Sequence, residues 1–292
     1  MGGGVLRILE PGDEALLEAF LLPRVESSMF LLGNMRDSGL RDRGEPYEGS
    51  YAAMVEDGRI TGVVAHFWNA VLVFQAPGNE NLLWKAAAEA SGRRVAGLIG
   101  PNDQVEVARR ALPVPAEGVQ LDTREKLYSL ALEEMVVPEA LSSGEVDGRR
   151  IGPADVELVT AWQVAYDVEA LGAKEAPEAW SENRERVKRS LKEGRTWVLE
   201  RQGEAVSCSS FNTAVAEAVQ IGGVWTPPEL RRRGYGRCVV AASLLQARAE
   251  GVETAILFTG EENVAAQRAY TALGFRHIGD YRLVLLDPPI DP

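Results

Sequence analysis

The residues best suited to chemistry lie together in the last quarter of the chain: Arg231, Arg232, Arg233, Gly234, Tyr235, Gly236 and Arg237. The arginines supply cations that stay charged at any ordinary pH. The two glycines allow an anion to approach main-chain amides closely. Upstream, residues 219–225 form an apolar, strand-like run. It stops at Thr226-Pro227-Pro228, because proline has no amide to donate to a central ladder. Downstream, residues 238–248 have helical composition, with Gly251 placed to end the helix. Strand, glycine turn and helix together make an anion site, since the first helical turn offers free N–H groups and a partial positive charge. The spacing is not that of other phosphate loops: no Gly-Lys-Ser/Thr follows and no G-x-G-x-x-G is present.

Other candidates are sparse. Asn263 and Tyr270 are seven apart in a predicted helix, almost two turns, which puts them on one face about 10 Å apart. Asn263 is suited to capping that helix and Tyr270 to packing beneath it. His66 and His277 lack Cys or carboxylate neighbours at metal-ligand spacing, so no metal site is expected. No G-x-S-x-G frames a nucleophilic serine, and Ser207-Cys208-Ser209-Ser210 reads as strand. Cys208 and Cys238 sit in apolar surroundings, as small core residues rather than a disulfide.

The 292 residues suit two domains, with 46% hydrophobic and 25% charged residues, ordinary for a globular protein. No run approaches a membrane span. Residues 1–6 lack a secretion signal, and Leu6 breaks the myristoylation pattern, so a cytoplasmic protein without membrane contact is expected. The net charge of −12 argues against nucleic-acid binding. Residues 1–145 carry 13 Lys+Arg against 22 Asp+Glu, and the remainder 18 against 21. The second half is therefore less acidic, and its cations concentrate at the glycine turn, which suits a polyanionic ligand there.

The two halves repeat one order of elements, β-α-α-β-β-β-α-β-α-β. In the first, a strand at 5–9, helices near 15–20 and 25–35, a hairpin at 50–67 and a strand at 70–75 precede a helix at 81–90. A strand at 95–99, a helix at 103–112 and a last strand at 127–132 close it. The second has a strand at 149–151, helices at 153–171 and 177–192, a hairpin at 196–212, the glycine-turn unit, a strand at 255–258, a helix at 263–273 and a terminal strand at 281–286. Residues 138–148 read as a linker. The division is thus 1–137, linker 138–148 and 149–292, two α+β domains with twisted, mostly antiparallel sheets flanked by helices.

Arg231-x-x-Gly234-x-Gly236, after a strand ending Val-x-Thr-Pro-Pro, resembles the acetyl-CoA signature of the GNAT N-acetyltransferase superfamily. Asn263-x-x-Ala266-x-x-x-Tyr270-x-x-Leu273-Gly274-Phe275 is similar to that family's second signature. The resemblance covers the chain by element order and about residues 195–286 by motif. It implies a tandem member whose first copy is degenerate: Ala76-Pro77-Gly78-Asn79-Glu80-Asn81 lacks the arginines and the second glycine, and places an acid where a pyrophosphate would approach.

What the resemblance implies for the second domain is specific. Acetyl-CoA is the acyl donor, bound by Val224, Trp225, Thr226, the turn 231–237, Asn263 and Tyr270. The Val224 amide hydrogen-bonds the thioester carbonyl, and Tyr270, with a phenol pKa near 10, protonates the leaving thiolate. Where several members carry a glutamate base, this chain has Gln220, which can orient a water or an amine but cannot take a proton. Glu217 is three residues away and no base is assigned. The acceptor is a small-molecule or peptide amine approaching along residues 164–180, which include Tyr166, Asp167, Glu169 and Glu175. The reaction is then direct acetyl transfer to a primary amine by a monomer or homodimer. The alternatives are an acyl or aminoacyl transfer like that of mycothiol synthase, or a non-catalytic acyl-CoA sensor. Residues 146–292 are expected to keep donor affinity without the first domain, which serves the acceptor.

Overall fold

The structure, a computed structural model, describes residues 4–112, 114 and 116–292. The reading of the N-terminus falls partly on Met1, Gly2 and Gly3, outside the described residues. In chain order the elements are β1 (Val5–Ile8), α1 (Glu14–Leu21), α2 (Val25–Ser38), β2 (Gly49–Glu56), β3 (Arg59–Phe67), β4 (Val71–Gln75), α3 (Glu80–Ser91), β5 (Val95–Pro101) and α4 (Asn102–Ala111). They continue with β6 (Val119–Ala131), α5 (Glu139–Ser142), β7 (Asp147–Arg150), α6 (Val156–Leu171), α7 (Pro177–Glu193), β8 (Thr196–Arg201), β9 (Glu204–Ala214) and β10 (Ala218–Trp225). The last are α8 (Tyr235–Ala249), β11 (Thr254–Gly260), α9 (Val264–Thr271) and β12 (Arg276–Ile290).

Two compact units form, and their membership corrects the expected boundaries. Unit 1 is residues 1–127 with 278–292, and unit 2 is residues 128–277. Each half is therefore completed by a strand encoded in the other. In unit 1 the strand order is β1-β2-β3-β4-β5-β12, with Tyr281 opposite Pro101 and Leu285 opposite Gly97. In unit 2 it is β6-β11-β10-β9-β8-β7. Both expected terminal strands exist, at 127–132 and 281–286, but they are exchanged. Both are short, largely apolar runs of similar length, Leu-Tyr-Ser-Leu-Ala-Leu and Tyr-Arg-Leu-Val-Leu-Leu, so either has apolar side chains to bury under helices.

The exchange is built into the cores. Val284, Leu286 and Ile290 pack with Leu72, Phe74 and Leu98 under α3 and α4 of unit 1. Tyr128, Leu130, Leu132 and Met135 pack with Val239, Leu244 and Leu257 under α8 of unit 2. Residues 138–148 are no linker: α5 and β7 lie there, and Val146 is buried in that same core. The fragment 146–292 omits four side chains of unit 2's own core, so it is not the self-contained domain expected from the sequence.

Unit 2 places α8 on one face of its sheet and α6 and α7 on the other, over Val198, Cys208 and Trp225. β1–β2, β2–β3, β3–β4, β5–β12, β7–β8, β8–β9 and β9–β10 pair antiparallel, while β4–β5 and β10–β11 pair parallel. Among the described residues no helix is long and apolar enough to cross a membrane.

Candidate active site

The centre of unit 2 is an opening between two parallel strands. β10 and β11 pair over three positions, Ala218 with Thr254 through Gln220 with Ile256, and the register then ends although both strands continue. On its other flank β10 bulges. Gly222 pairs with Ser210 and Trp225 with Cys208, so three steps on β10 answer two on β9, and Gly223 and Val224 fall between the pairs. Gly223 takes φ +58°, a left-handed conformation that glycine adopts without a side-chain penalty. Its carbonyl accepts a hydrogen bond from Gln163 Nε2 of α6 at 3.3 Å, and that side chain sits where a Cβ on residue 223 would project. Val224 thus lies outside the paired register with both β9 and β11.

The glycine turn follows at once. Ser207 Oγ donates to the Trp225 carbonyl at 2.8 Å and lies 2.9 Å from Thr226 Oγ1, tying the strand end to β9. Arg231 Nε donates to the Thr226 carbonyl at 2.9 Å, and its guanidinium stacks 4.7 Å from the centre of the Trp225 ring. Arg231 also reaches Glu169 of α6 at 2.9 Å. Arg232 has φ +64° and Gly234 φ +81°. Arg232, Arg233 and Gly234 are exposed, and nothing lies within 4 Å of a Cβ built on Gly234. No side chain caps α8 and no acid stands in its first turn. The first ladder bond of α8 is Cys238 N to Gly234 O, leaving the amides of residues 235–237 for a ligand. The Arg237 Nε is buried without a partner.

This cradle fits a polyanion. Its counterpart in unit 1 does not. There the Glu80 carboxylate accepts from the Gly78 amide at 2.9 Å, the position an anion would need. The Ala76 amide is taken by Gln104 Oε1 at 2.7 Å. Gly100 of β5 lies so close to β4 that a Cβ on it would stand 2.8 Å from that of Phe74.

The remaining expected residues separate. Trp225 is buried against Val198 and Cys208, so its side chain belongs to the core and not to a ligand. Tyr235 is likewise buried, contributing at most its amide. Asn263 caps α9, its Oδ1 accepting from the Ala266 amide at 3.1 Å. Tyr270 is half-buried, edge-on to Phe275 at 5.9 Å. Burial, reinforced by the nearby Tyr166, raises its phenol well above the usual value, so it remains a proton donor at any physiological pH. Burial also pushes the Cys208 thiol up to about 12, which makes it inert as a nucleophile. Neither Cys208 nor Cys238 is in a disulfide.

The carboxylates along 164–180 are already engaged: Asp167 accepts from Asn183 and Arg186, Glu169 from Arg231 and Glu175 from the Trp180 indole. Sequence reasoning missed Gln163, Asn212 and Thr213 around the strand opening. The Gly222-Gly223 pair inside a strand was the signal that a bulge needs partners there. Among the described residues no three or more His, Cys, Asp or Glu side chains gather as metal ligands.

Residues 165–275 match the acetyltransferase (GNAT) family model. That segment is similar in sequence to the GNAT family. Around it, the whole chain has the fold of tandem GNAT proteins. A tandem GNAT protein of the clavulanic acid biosynthesis pathway aligns at TM-score 0.56 and 14% identity, over 99% of this chain and 100% of its own. A GCN5-related N-acetyltransferase from Sphaerobacter thermophilus aligns at 0.57 and 14%, over 99% and 98%. A Drosophila protein aligns at 0.66 and 15%, over 97% and 99%. No curated protein sequence matches the chain.

Proposed function

We propose that unit 2 transfers an acetyl group from acetyl-CoA to a primary amine. The observation that carries this reading is the joint placement of a Val224 outside the paired register and an uncapped, acid-free helix N-terminus, joined by a turn rich in arginine. Acetyl-CoA, when bound, supplies an activated thioester.

The chain's own residues then have separable roles. Amides 235–237, with Arg232, Arg233 and Arg237, hold the pyrophosphate. Arg231 is anchored to Thr226 and Trp225 and keeps the turn in shape. The Val224 amide donates to the thioester oxygen, where charge develops as the amine attacks. A C–N bond forms and the C–S bond breaks. Tyr270, a protonated phenol at physiological pH, gives the thiolate a proton, and the proton lost by the nitrogen leaves through water. Neither Gln220 nor an acid on β10 takes it. Holding both reactants in register supplies much of the rate.

The test is thiol release from acetyl-CoA with a panel of primary amines, comparing the natural chain with Tyr270→Phe. The variant should lose about 100-fold in kcat, the scale of general-acid catalysis, with donor affinity retained. Equal kcat under chemistry-limited conditions would reduce Tyr270 to a packing residue.

A further inference from the structure

Gln163 stands where α6 should be apolar. Val156 and Val159 precede it by seven and four residues, on the same face of the helix, and both are buried with Val198, Cys208 and Trp225 of the sheet. Gln163 continues that stripe and is 7% exposed. A buried amide costs free energy unless its polar atoms are met, and here Nε2 donates to the Gly223 carbonyl at 3.3 Å. The Cys208 thiol, from the same layer, reaches that carbonyl at 3.9 Å. Burial keeps it a thiol, its pKa pushed up to about 12, so both groups on this oxygen are neutral donors.

The direction of the Gln163 bond matters more than its strength. In a regular strand the carbonyls point along the sheet at neighbouring strands. Gln163 and Cys208 belong to the layer under α6, so the Gly223 carbonyl is turned out of the sheet toward α6. The Gly223–Val224 peptide is trans and planar, with its C=O and N–H pointing in opposite directions. Fixing the carbonyl therefore fixes the Val224 amide, and turns it toward the face that carries α8. A Cβ built on Gly236, in the first turn of α8, would stand 3.8 Å from Val224 Cγ1, so residue 224 adjoins the anion cradle. Gly222 and Gly223 have no side chains to restrain this peptide, and glycine takes left- and right-handed conformations with similar ease. The restraint has to come from outside the strand.

Unit 1 supplies the contrast. Its corresponding strand, β4, contains no glycine and pairs with β3 one residue to one, from Leu72 with His66 to Gln75 with Val63. That regular strand leads to the turn whose Gly78 amide is taken by Glu80. The bulged strand, held by Gln163, leads to the open cradle.

From these observations, and resting on the acyl-transfer reading, we infer that Gln163 is a positioning residue: through the Gly223 carbonyl it aims the Val224 amide at the thioester oxygen of the donor. Its effect falls on the step in which negative charge gathers on that oxygen, and not on the grip on the nucleotide.

The full chain would be compared with Gln163→Met, which keeps the bulk of the side chain and has no N–H to donate. With acetyl-CoA isotope-labelled at the acetyl carbonyl, infrared difference spectra of the bound donor should place the carbonyl stretch at higher frequency in the variant, because its hydrogen bond is weakened. Calorimetric affinity for CoA, which has no thioester, should be unchanged. With the amine panel, kcat should fall about tenfold or more, toward the roughly 100-fold that follows loss of an oxyanion donor, while KM for acetyl-CoA holds. Should Gln163→Met be unfolded by its urea midpoint, Gln163→Asn, which draws the amide back by one methylene, is read in its place with the same expectations. An unmoved carbonyl band, an unchanged kcat, or a loss of kcat matched by an equal loss of CoA affinity overturns the inference alone. A natural chain that binds acetyl-CoA yet acylates no amine overturns the acyl-transfer reading, and the carbonyl band then decides the inference by itself. A chain that does not bind acetyl-CoA overturns both.

Discussion

Val284 tests the strand exchange. It follows all of unit 2 in sequence, yet it is fully buried among Leu72, Leu98 and Leu83 of unit 1. Val284→Asp removes about 1.5–3 kcal/mol of apolar burial. The buried carboxyl adds further cost, whether it stays charged or is forced to protonate. A total of about 4 kcal/mol or more is a large share of the roughly 5–15 kcal/mol that holds a typical domain. The loss should be local. Hydrogen exchange followed peptide by peptide should show β3, β4 and β5 losing protection while β8, β9 and β10 keep theirs. Leu130→Asp should do the reverse, because Leu130 lies in the core under α8. If Val284→Asp exposes β10 and β11 first, the terminal strand belongs to the second unit after all and the exchange is wrong.

Two further substitutions probe single features. Gly223→Ala forces a side chain into φ +58° and against Gln163, at a cost of about 1–3 kcal/mol. Steady-state kinetics should show kcat falling as the Val224 amide shifts, and unchanged kcat would remove the bulge from the mechanism. His66, buried in unit 1, has its pKa lowered by burial to about 4 from 6.5. The unfolded chain therefore binds this proton at the higher pH, so stability is full above about 6.5 and is lost as pH falls toward 4. Urea midpoints measured across that window should decline, and His66→Gln should flatten the decline; an identical slope would assign it to other groups.

Much of this arrangement was legible because its signals are local. Pro227-Pro228 and Gly234 mark strand end and helix start in any context, and Gln202-Gly203 and Asp57-Gly58 mark hairpins, with φ +55° and +82°, and +49° and +74°, observed at those positions. The degenerate turn of the first half could be read from its missing arginines, and the Glu80 carboxylate on the Gly78 amide gives that reading a physical form. Partner choice was not legible. The strands at 127–132 and 281–286 are both short apolar runs, and which unit each joins is decided by long-range packing that no window of sequence contains. The segment 138–148 looked like a linker because its turn residues outnumber its apolar ones. Yet Val146, buried, with Ala140 and Leu141 packed beside it, ties it to the core. Trp225 failed for a related reason: its neighbours in sequence are the turn, but its neighbours in space are Val198 and Cys208.

The claim that one donor site exists, at residues 224–237 of unit 2, is tested most directly by calorimetric titration of the full chain with acetyl-CoA. One site per chain is expected. The double substitution Arg232→Glu, Arg233→Glu should weaken it about 100-fold or more, since two charge-assisted contacts become repulsive. Two equivalent sites per chain, or an affinity indifferent to the double substitution, would contradict the account.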